Sequence, residues 1–594
     1  MKPIAAERCI ASRELTEPRL APDGQHLLYV RSTSDGGVLV MHSLAEGHLR
    51  TLGDVPGVRA GRGMGGGAWC FTADGGRVVH VGADGNLWSQ AIEGGHARQL
   101  TDIGPDRGAS CPVASHDGRL IAFTVDTAEV HVLDLAASRT RRVDDNADDF
   151  VLDPSWTADG WLRWVAWNVP DMPWDRTSER GWHPSGERLH NEHVSAVHQL
   201  RNEWSVSDQL GFVNLWRHGV PLVEEPFEHA GPTWGPGARS YAPSPDGRQL
   251  AFTRNEHGFG RLVVMDLSTG EVTRQARGVH GQLSWVGRHV AALRTGARTP
   301  TQVVVYDTDT WERTVVAVGP EGDWADDELV EPELVEIHGS PVGGVDGTVH
   351  ARFYRAPADT GAGRVIVWIH GGPTDQWQVT WMSRIAFWRS RGWHVLVPDH
   401  RGSTGHGRAY QQALRGRWGE LDVADIVAAT EWAQREGLAD ASGTVVMGGS
   451  AGGFTALGAV ARAPERFAAA VVLYPVTDLA DMAERSHRFE RHYTDSLVGP
   501  MPEAADVMRE RSPLSYAHLL VTTPLLVLHG EVDPVVPASQ SRVLAERVRA
   551  AGGVAELHVY PGEGHGFRRR DHQLDEFHRI EGFLSRHLRV ASSS

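Results

Sequence analysis

A short turn tag recurs through the first half of the chain and limits the fold more than any other feature of the sequence. It reads (S/T/A)xDG, and each copy runs into a β-rich stretch such as QHLLYV or RLIAFTV. Clear copies end at Gly24, Gly75, Gly118, Gly160 and Gly247, and weaker ones, SDQLG and WVG, end at Gly211 and Gly287. Asp tolerates and Gly prefers positive φ, so the pair closes hairpins. Successive tags lie roughly 36 to 51 residues apart, the length of one four-stranded blade, so the seven tags predict a seven-bladed β-propeller. The competing arrangement is a β-sandwich with coincidental turns.

Near residue 330 short strands give way to strands alternating with helices, the pattern of an α/β domain with a mostly parallel sheet. The strand candidates are Arg364–His370, Trp393–Asp399, Thr444–Gly449, Ala468–Val476, Pro524–Gly530 and Ala555–Pro561. Helical patterns cover Val423–Arg435, Gly453–Ala463, Ser539–Ala551 and Gln573–His587. Several strands are almost continuously apolar, as expected where helices cover both sheet faces. The expected division is a propeller over residues 1–330 and an α/β domain over 331–594, with the boundary between Gly319 and about Glu336. Roughly the first fifteen residues are candidates for packing on the second domain.

Asp and Glu number 75 against 58 Lys and Arg, a formal charge of −17, which disfavours nucleic acid and anionic lipid as partners. Cys9, Cys70 and Cys111 are too few and too scattered for a disulfide framework or a metal knuckle, so a reducing, cytoplasmic setting is expected. The opening stretch MKPIAAERCIASRELTEPRL does not read as a secretory signal, and no stretch is apolar for long enough to form a membrane helix. The 31 histidines are dispersed with no HExxH-like spacing, so neither a metal nor another cofactor is expected.

The chemistry concentrates in the second half. Gly448-Gly449-Ser450-Ala451-Gly452 follows a strand and precedes a helix, the context of a G-x-S-x-G turn that presents a nucleophilic serine. Asp533 follows strand PLLVLHG, and His565, in GEGHG, follows strand AELHVYP. Ser450, Asp533 and His565 in that chain order, each just past a strand, make an α/β-hydrolase triad, and the fold expected of 331–594 is therefore α/β-hydrolase. Acyl transfer also needs donors for the developing oxyanion. His370-Gly371-Gly372-Pro373 follows another strand, and one donor is assigned to the N–H of Gly372, with Gly371 as the alternative, and the other to that of Ala451.

With these motifs the chain resembles the prolyl oligopeptidase family of serine peptidases. The resemblance is carried by HGGP at 370–373, PDHRGSTGHGRAY at 398–410, RWGELDVAD at 417–425, GGSAGG at 448–453, HGEVDPVVP at 529–537 and GEGHGF at 562–567. MPWD at 172–175, VSDQLGFVNLWR at 206–217 and PTWGPGARSYAPSPDG at 232–247 look like its acylaminoacyl peptidase and bacterial aminopeptidase branch. The resemblance implies a propeller capping the hydrolase domain, with access limited to small peptides or amides. In several branches an arginine two residues after the triad aspartate binds a substrate carbonyl; here that position is Val535, which has no side-chain donor.

The expected activity is therefore covalent hydrolysis of short peptides or aminoacyl amides, with release of a single amino acid bearing a free amine. Acylaminoacyl or dipeptidyl release is the alternative, with puromycin hydrolase-like cleavage of an aminoacylated small molecule as a further one. An esterase and a non-catalytic propeller scaffold are the readings of another class. Asp175 and Glu490 are candidates for the substrate ammonium because the family-like segments MPWD and FERHY contain them, and Phe489 is a candidate pocket wall. The sequence leaves open whether the chain forms a homo-oligomer.

Overall fold

A computed structural model describes residues 2–588 apart from 11–12, 62–63, 320–323, 326, 343 and 361–362. Part of the expected boundary stretch, residues 320–323 and 326, thus lies outside the described residues. The chain forms two compact units. One comprises Ala11–Glu321 with Gln378–Trp381; the other comprises Met1–Ile10, Gly322–Trp377 and Met382–Ser594.

The first unit is a seven-bladed β-propeller built from seven four-stranded antiparallel sheets, each made of four consecutive strands. An apolar cluster joins every consecutive pair of blades, from Leu28 and Val30 with Trp69 between the first and second to Leu15 and Leu27 with Ala291 and Leu293 between the seventh and first. The ring closes through these clusters, because no strand is exchanged between blades.

The turn tags join the first and second strands of their blades, and their chemistry explains their composition. In the fourth residue block TADG, Thr157 donates to Asp159 at 2.5 Å while its Oγ1 accepts from Trp161 N–H at 3.0 Å. Ser244 repeats this with Asp246 at 2.6 Å and Gln249 N–H at 2.9 Å. The hydroxyl thus pins the turn to the start of the next strand. One tag is corrected. SDQLG, ending at Gly211, lies between the second strand of the fifth blade, Trp204–Ser207, and the third, Asn214–Arg217; the first turn of that blade is the tight Asn202-Glu203 link.

The innermost strands of five blades share a bulge that the tags do not announce. Glu17, Cys111, Asp153, Gln199 and Gln282 each have φ between 50° and 57°, and each strand shifts register beside them. The bulge turns these side chains into bonds with other blades. Glu17 accepts from Ala68 N–H at 3.0 Å, Asp153 from Gly237 N–H at 2.7 Å, and Gln199 from Ser240 N–H at 2.8 Å. Gln282 Nε2 donates to Met64 O at 2.7 Å and to Gly237 O at 2.9 Å. Asp153 lies in the fourth blade and Gly237 leads into the sixth, so their bond spans non-neighbouring blades.

The second unit is an α/β domain around an eight-stranded sheet. Its strands are β1 (Glu333–His338), β2 (Thr348–Tyr354), β3 (Gly363–Ile369), β4 (His394–Asp399), β5 (Ala439–Gly449), β6 (Ala469–Leu473), β7 (Leu525–Gly530) and β8 (Ala555–Tyr560). They lie in the order β1-β2-β4-β3-β5-β6-β7-β8, antiparallel from β1 through β4 and parallel beyond. The four expected helices form as α1 (Leu421–Arg435), α2 (Ala451–Arg462), α3 (Ala538–Ala550) and α4 (Arg570–His587). Val367, Ile369, Val446, Val472 and Val527 from the central strands pack with Leu457 of α2 and Leu544 of α3 in the main core. This arrangement brings the C-terminal ends of β3, β5, β7 and β8 to one sheet edge, where open parallel sheets build their sites.

Candidate active site

Ser450 is the residue between β5 and α2, with φ 56° and ψ −125°. A non-glycine residue in that region is strained, and such strain persists where the surroundings impose it. Here the surroundings are tight. A Cβ on Gly448 would sit 2.3 Å from Gly452 O, and one on Gly452 would sit 2.5 Å from both Ile369 O and His370 O. Those two glycines are required by close packing of α2 on β5 and β3. Ser450 N–H donates to Leu473 O at 2.9 Å, which ties the turn to the end of β6.

Asp533 follows β7, and its side chain is fully buried. Its Oδ1 accepts from the N–H groups of Val535 and Val536 at 2.8 and 2.9 Å, and its Oδ2 lies 2.7 Å from His565 Nδ1. A carboxylate can only accept, so His565 carries its proton on Nδ1 and leaves Nε2 as the free base nitrogen. Burial alone would raise the carboxyl pKa, but hydrogen bonds from His529, His565 and the backbone hold it well below the usual carboxylate range. Ser450 Oγ makes no hydrogen bond among the described residues, as is common where the bond tightens only with substrate bound.

The His565 loop is held by Glu563, whose buried carboxylate accepts from Arg568 and Arg569 N–H at 3.0 and 2.9 Å and lies 2.8 Å from His572 Nδ1. Sequence reading gave Glu563 no role, although its place in GEGHG was the available signal.

Both expected donor segments reach the serine. A Cβ on Gly371 would lie 3.5 Å from Ser450 Cβ, so the HGGP loop runs directly past that serine. Gly372 has φ 120°, and its N–H has no acceptor among the described residues. Ala451 N–H opens α2, where no intrahelical acceptor exists, and the positive end of the helix dipole adds to it. Behind the loop His370 is buried, with Nδ1 2.7 Å from Gly371 O and Nε2 2.7 Å from Ser403 Oγ.

The pocket candidates are placed less closely. Val535 is half-buried and contributes a backbone N–H to Asp533. Glu490 lies 3.1 Å from His487 Nε2, and the ring of Phe489 stacks on His487 with centroids 6.5 Å apart. Asp175 belongs to the propeller unit, where its Oδ2 accepts from Met172 N–H at 3.0 Å in the 172–175 turn. Among the described residues no cluster of His, Cys, Asp and Glu could hold a metal ion, and no helix is long and apolar enough to cross a membrane.

Residues 377–591 match the prolyl oligopeptidase family. Over 239 residues the chain is 30% identical to acylamino-acid-releasing enzyme 1 of Oryza sativa subsp. japonica, a match covering 39% of this chain and 31% of that protein. The chain thus spans about a third of the length of the curated relatives it matches. Two solved structures are similar over nearly the whole chain. A puromycin-hydrolyzing peptidase of Mycobacterium tuberculosis is 27% identical with a TM-score of 0.87, covering 99% of this chain and 96% of that one. A puromycin hydrolase mutant complexed with PGG is 26% identical with a TM-score of 0.87, covering 100% and 98%. The match to the prolyl oligopeptidase family thus spans the Ser450, Asp533 and His565 positions, and the likeness to solved structures extends over the propeller as well.

Proposed function

We propose that this protein is a serine aminopeptidase that releases a single N-terminal amino acid from short peptides or cleaves aminoacyl amides. Ser450 Oγ attacks the carbonyl, and His565 Nε2 takes the hydroxyl proton and passes it to the leaving amine. Asp533 fixes the imidazole tautomer and stabilises its charged form. The N–H groups of Ala451 and Gly372 receive the oxyanion, each worth roughly 2.7 to 4 kcal/mol of transition-state stabilisation. Water then attacks the acyl-enzyme, with His565 as base, and frees Ser450. The observation that carries the chemistry is the 2.7 Å bond between Asp533 and His565 at the sheet edge that also presents Ser450 on its strained turn.

The preference for a free amine rests on Val535. It offers no side-chain donor at a position where the resemblance to several branches of the family implies an arginine, so a longer acyl group lacks that anchor. The likeness to puromycin-hydrolysing structures supports this reading, because puromycin is an amide of an amino acid with a free amine, and a bound PGG in one of them fits short peptides. The second reading, release of acylated amino acids, draws on the sequence similarity to the rice enzyme. Three buried, unpaired cysteines suit the reducing cytoplasm, which we take as the site of action. Paired chromogenic amides, free and N-acetylated with the same side chains, test the reading with Ser450→Ala as the blank. Faster cleavage of the free series is expected, and preference for the blocked series would return the protein to the acylaminoacyl group.

A further inference from the structure

Tyr474 is the first residue after β6, in the crevice between the strand that leads to Ser450 and the one that leads to Asp533. Its φ is 39°, a conformation that glycine and asparagine enter readily and a bulky aromatic residue does not. A residue held in such a strained conformation persists there only because the surrounding structure imposes it. The backbone is held there from both sides, since Tyr474 N–H donates to Leu528 O at 2.7 Å and the preceding carbonyl, Leu473 O, accepts from Ser450 N–H at 2.9 Å.

The ring lies between the two halves of the triad. Its centroid is 4.5 Å from that of His565 at an interplanar angle of 54°, and 5.9 Å from that of Phe567. On its other side a Cβ on Gly449, the residue before Ser450, would come within 3.1 Å of the ring edge. Phe567 in turn packs on Tyr560 at the end of β8, with centroids 4.5 Å apart. The phenol oxygen makes no hydrogen bond among the described residues, so the ring itself makes the ordered contacts. His565 stands in a loop flanked by Gly564 and Gly566, and a single hydrogen bond to Asp533 leaves its imidazole free to tilt about that bond.

We propose that Tyr474 is a positioning residue for His565: its ring, forced into place by the left-handed turn after β6, braces the imidazole against tilting and keeps Nε2 facing Ser450. The inference rests on the reading of Ser450, His565 and Asp533 as an acyl-transfer triad. Bracing acts on the reacting geometry and leaves substrate binding alone, so its loss shows in kcat and hardly in KM.

The test compares Tyr474→Asn, whose side chain tolerates the backbone conformation, with Tyr474→Phe, which keeps the ring. Steady-state turnover of an aminoacyl p-nitroanilide and the rate of inactivation by a fluorophosphonate are measured, the second needing no amino-acid specificity. Tyr474→Asn is expected to lower kcat and the inactivation rate about 10- to 100-fold with KM within about twofold, and Tyr474→Phe to restore both to within about threefold. Tyr474→Leu stands in should the asparagine variant fail to fold. Wild-type turnover in the ringless variant overturns the proposal, as does a loss in Tyr474→Phe equal to that in Tyr474→Asn, which would transfer the role to the hydroxyl. His565→Ala separates the two readings. If it turns over like wild type the triad assignment fails; if it is inactive while Tyr474→Asn is not impaired, only the brace fails.

Discussion

Asp533 keeps its charge because three kinds of donor face it, and that arrangement makes its substitution informative. Asp533→Asn keeps the shape but offers His565 Nδ1 an N–H as readily as an acceptor, so the proton shifts to Nε2 and the base is lost. A fall in kcat on the order of 10⁴ is expected, read as turnover of an aminoacyl p-nitroanilide at unchanged thermal midpoint. Gly452→Ala tests the packing behind the serine. Its Cβ would meet two backbone oxygens at 2.5 Å, neither of which can move without displacing β3, so a stability loss of about 1–3 kcal/mol is expected from denaturant midpoints, with activity falling too. At this scale the sequence was informative wherever a residue type is demanded by chemistry or sterics. Ser450, Asp533, His565 and the glycines around them were legible for that reason. Tyr474 was not, because a tyrosine carries no mark of the left-handed backbone it is forced to adopt, and Glu563 showed only its place in GEGHG, because its partners, two backbone amides and the His572 ring, are set by the fold.

The strands and turns divide along a similar line. The central strands of the hydrolase sheet were visible as apolar runs, whereas β1 and β2, reading ELVEIH and TVHARFY, alternate polar with apolar residues and give a weaker signal. The propeller tags worked because hydroxyl, carboxylate and glycine each do a separate task in one turn, and the fifth blade escaped because a two-residue link replaces that turn. Removing one member should therefore be felt locally: Ser244→Ala is expected to cost about 1 kcal/mol, seen as a lower urea midpoint, since the amide of Gln249 loses its partner. The inner-strand bulges were unreadable because Glu17, Asp153, Gln199 and Gln282 occupy positions that alternation alone assigns to a solvent-facing side.

For the molecule as a whole, buried neutral histidines work against stability in acid. Burial pushes His80 down to about 4 and His280 to about 3 in the propeller, and burial with the nearby His400 pushes His370 to about 3 in the hydrolase domain. Unfolded, each would titrate near 6.5, so between about 6.5 and those lower values the unfolded chain binds more protons than the folded one. Stability therefore falls as pH drops through that window, by about 1.4 kcal/mol per pH unit for each histidine. Buried Asp375, raised to about 7, acts in the opposite direction over the same range, so the check is on the histidine itself: His280→Gln is expected to lose less of its thermal midpoint between pH 7 and pH 4 than the wild type does. The bonds between blades of the propeller have a mechanical consequence. A ring of seven separately completed blades has one seam, between the last and the first, and a pull applied there would ordinarily open it like a split washer. Arg239 Nη2 donates to Pro18 O at 2.7 Å and Gln282 Nε2 to Met64 O at 2.7 Å, so the load on the seam passes at once to the sixth blade and to the connection into the second. Under tension the seam shares its force with neighbours on both sides, and it is no longer the place where the ring must tear first.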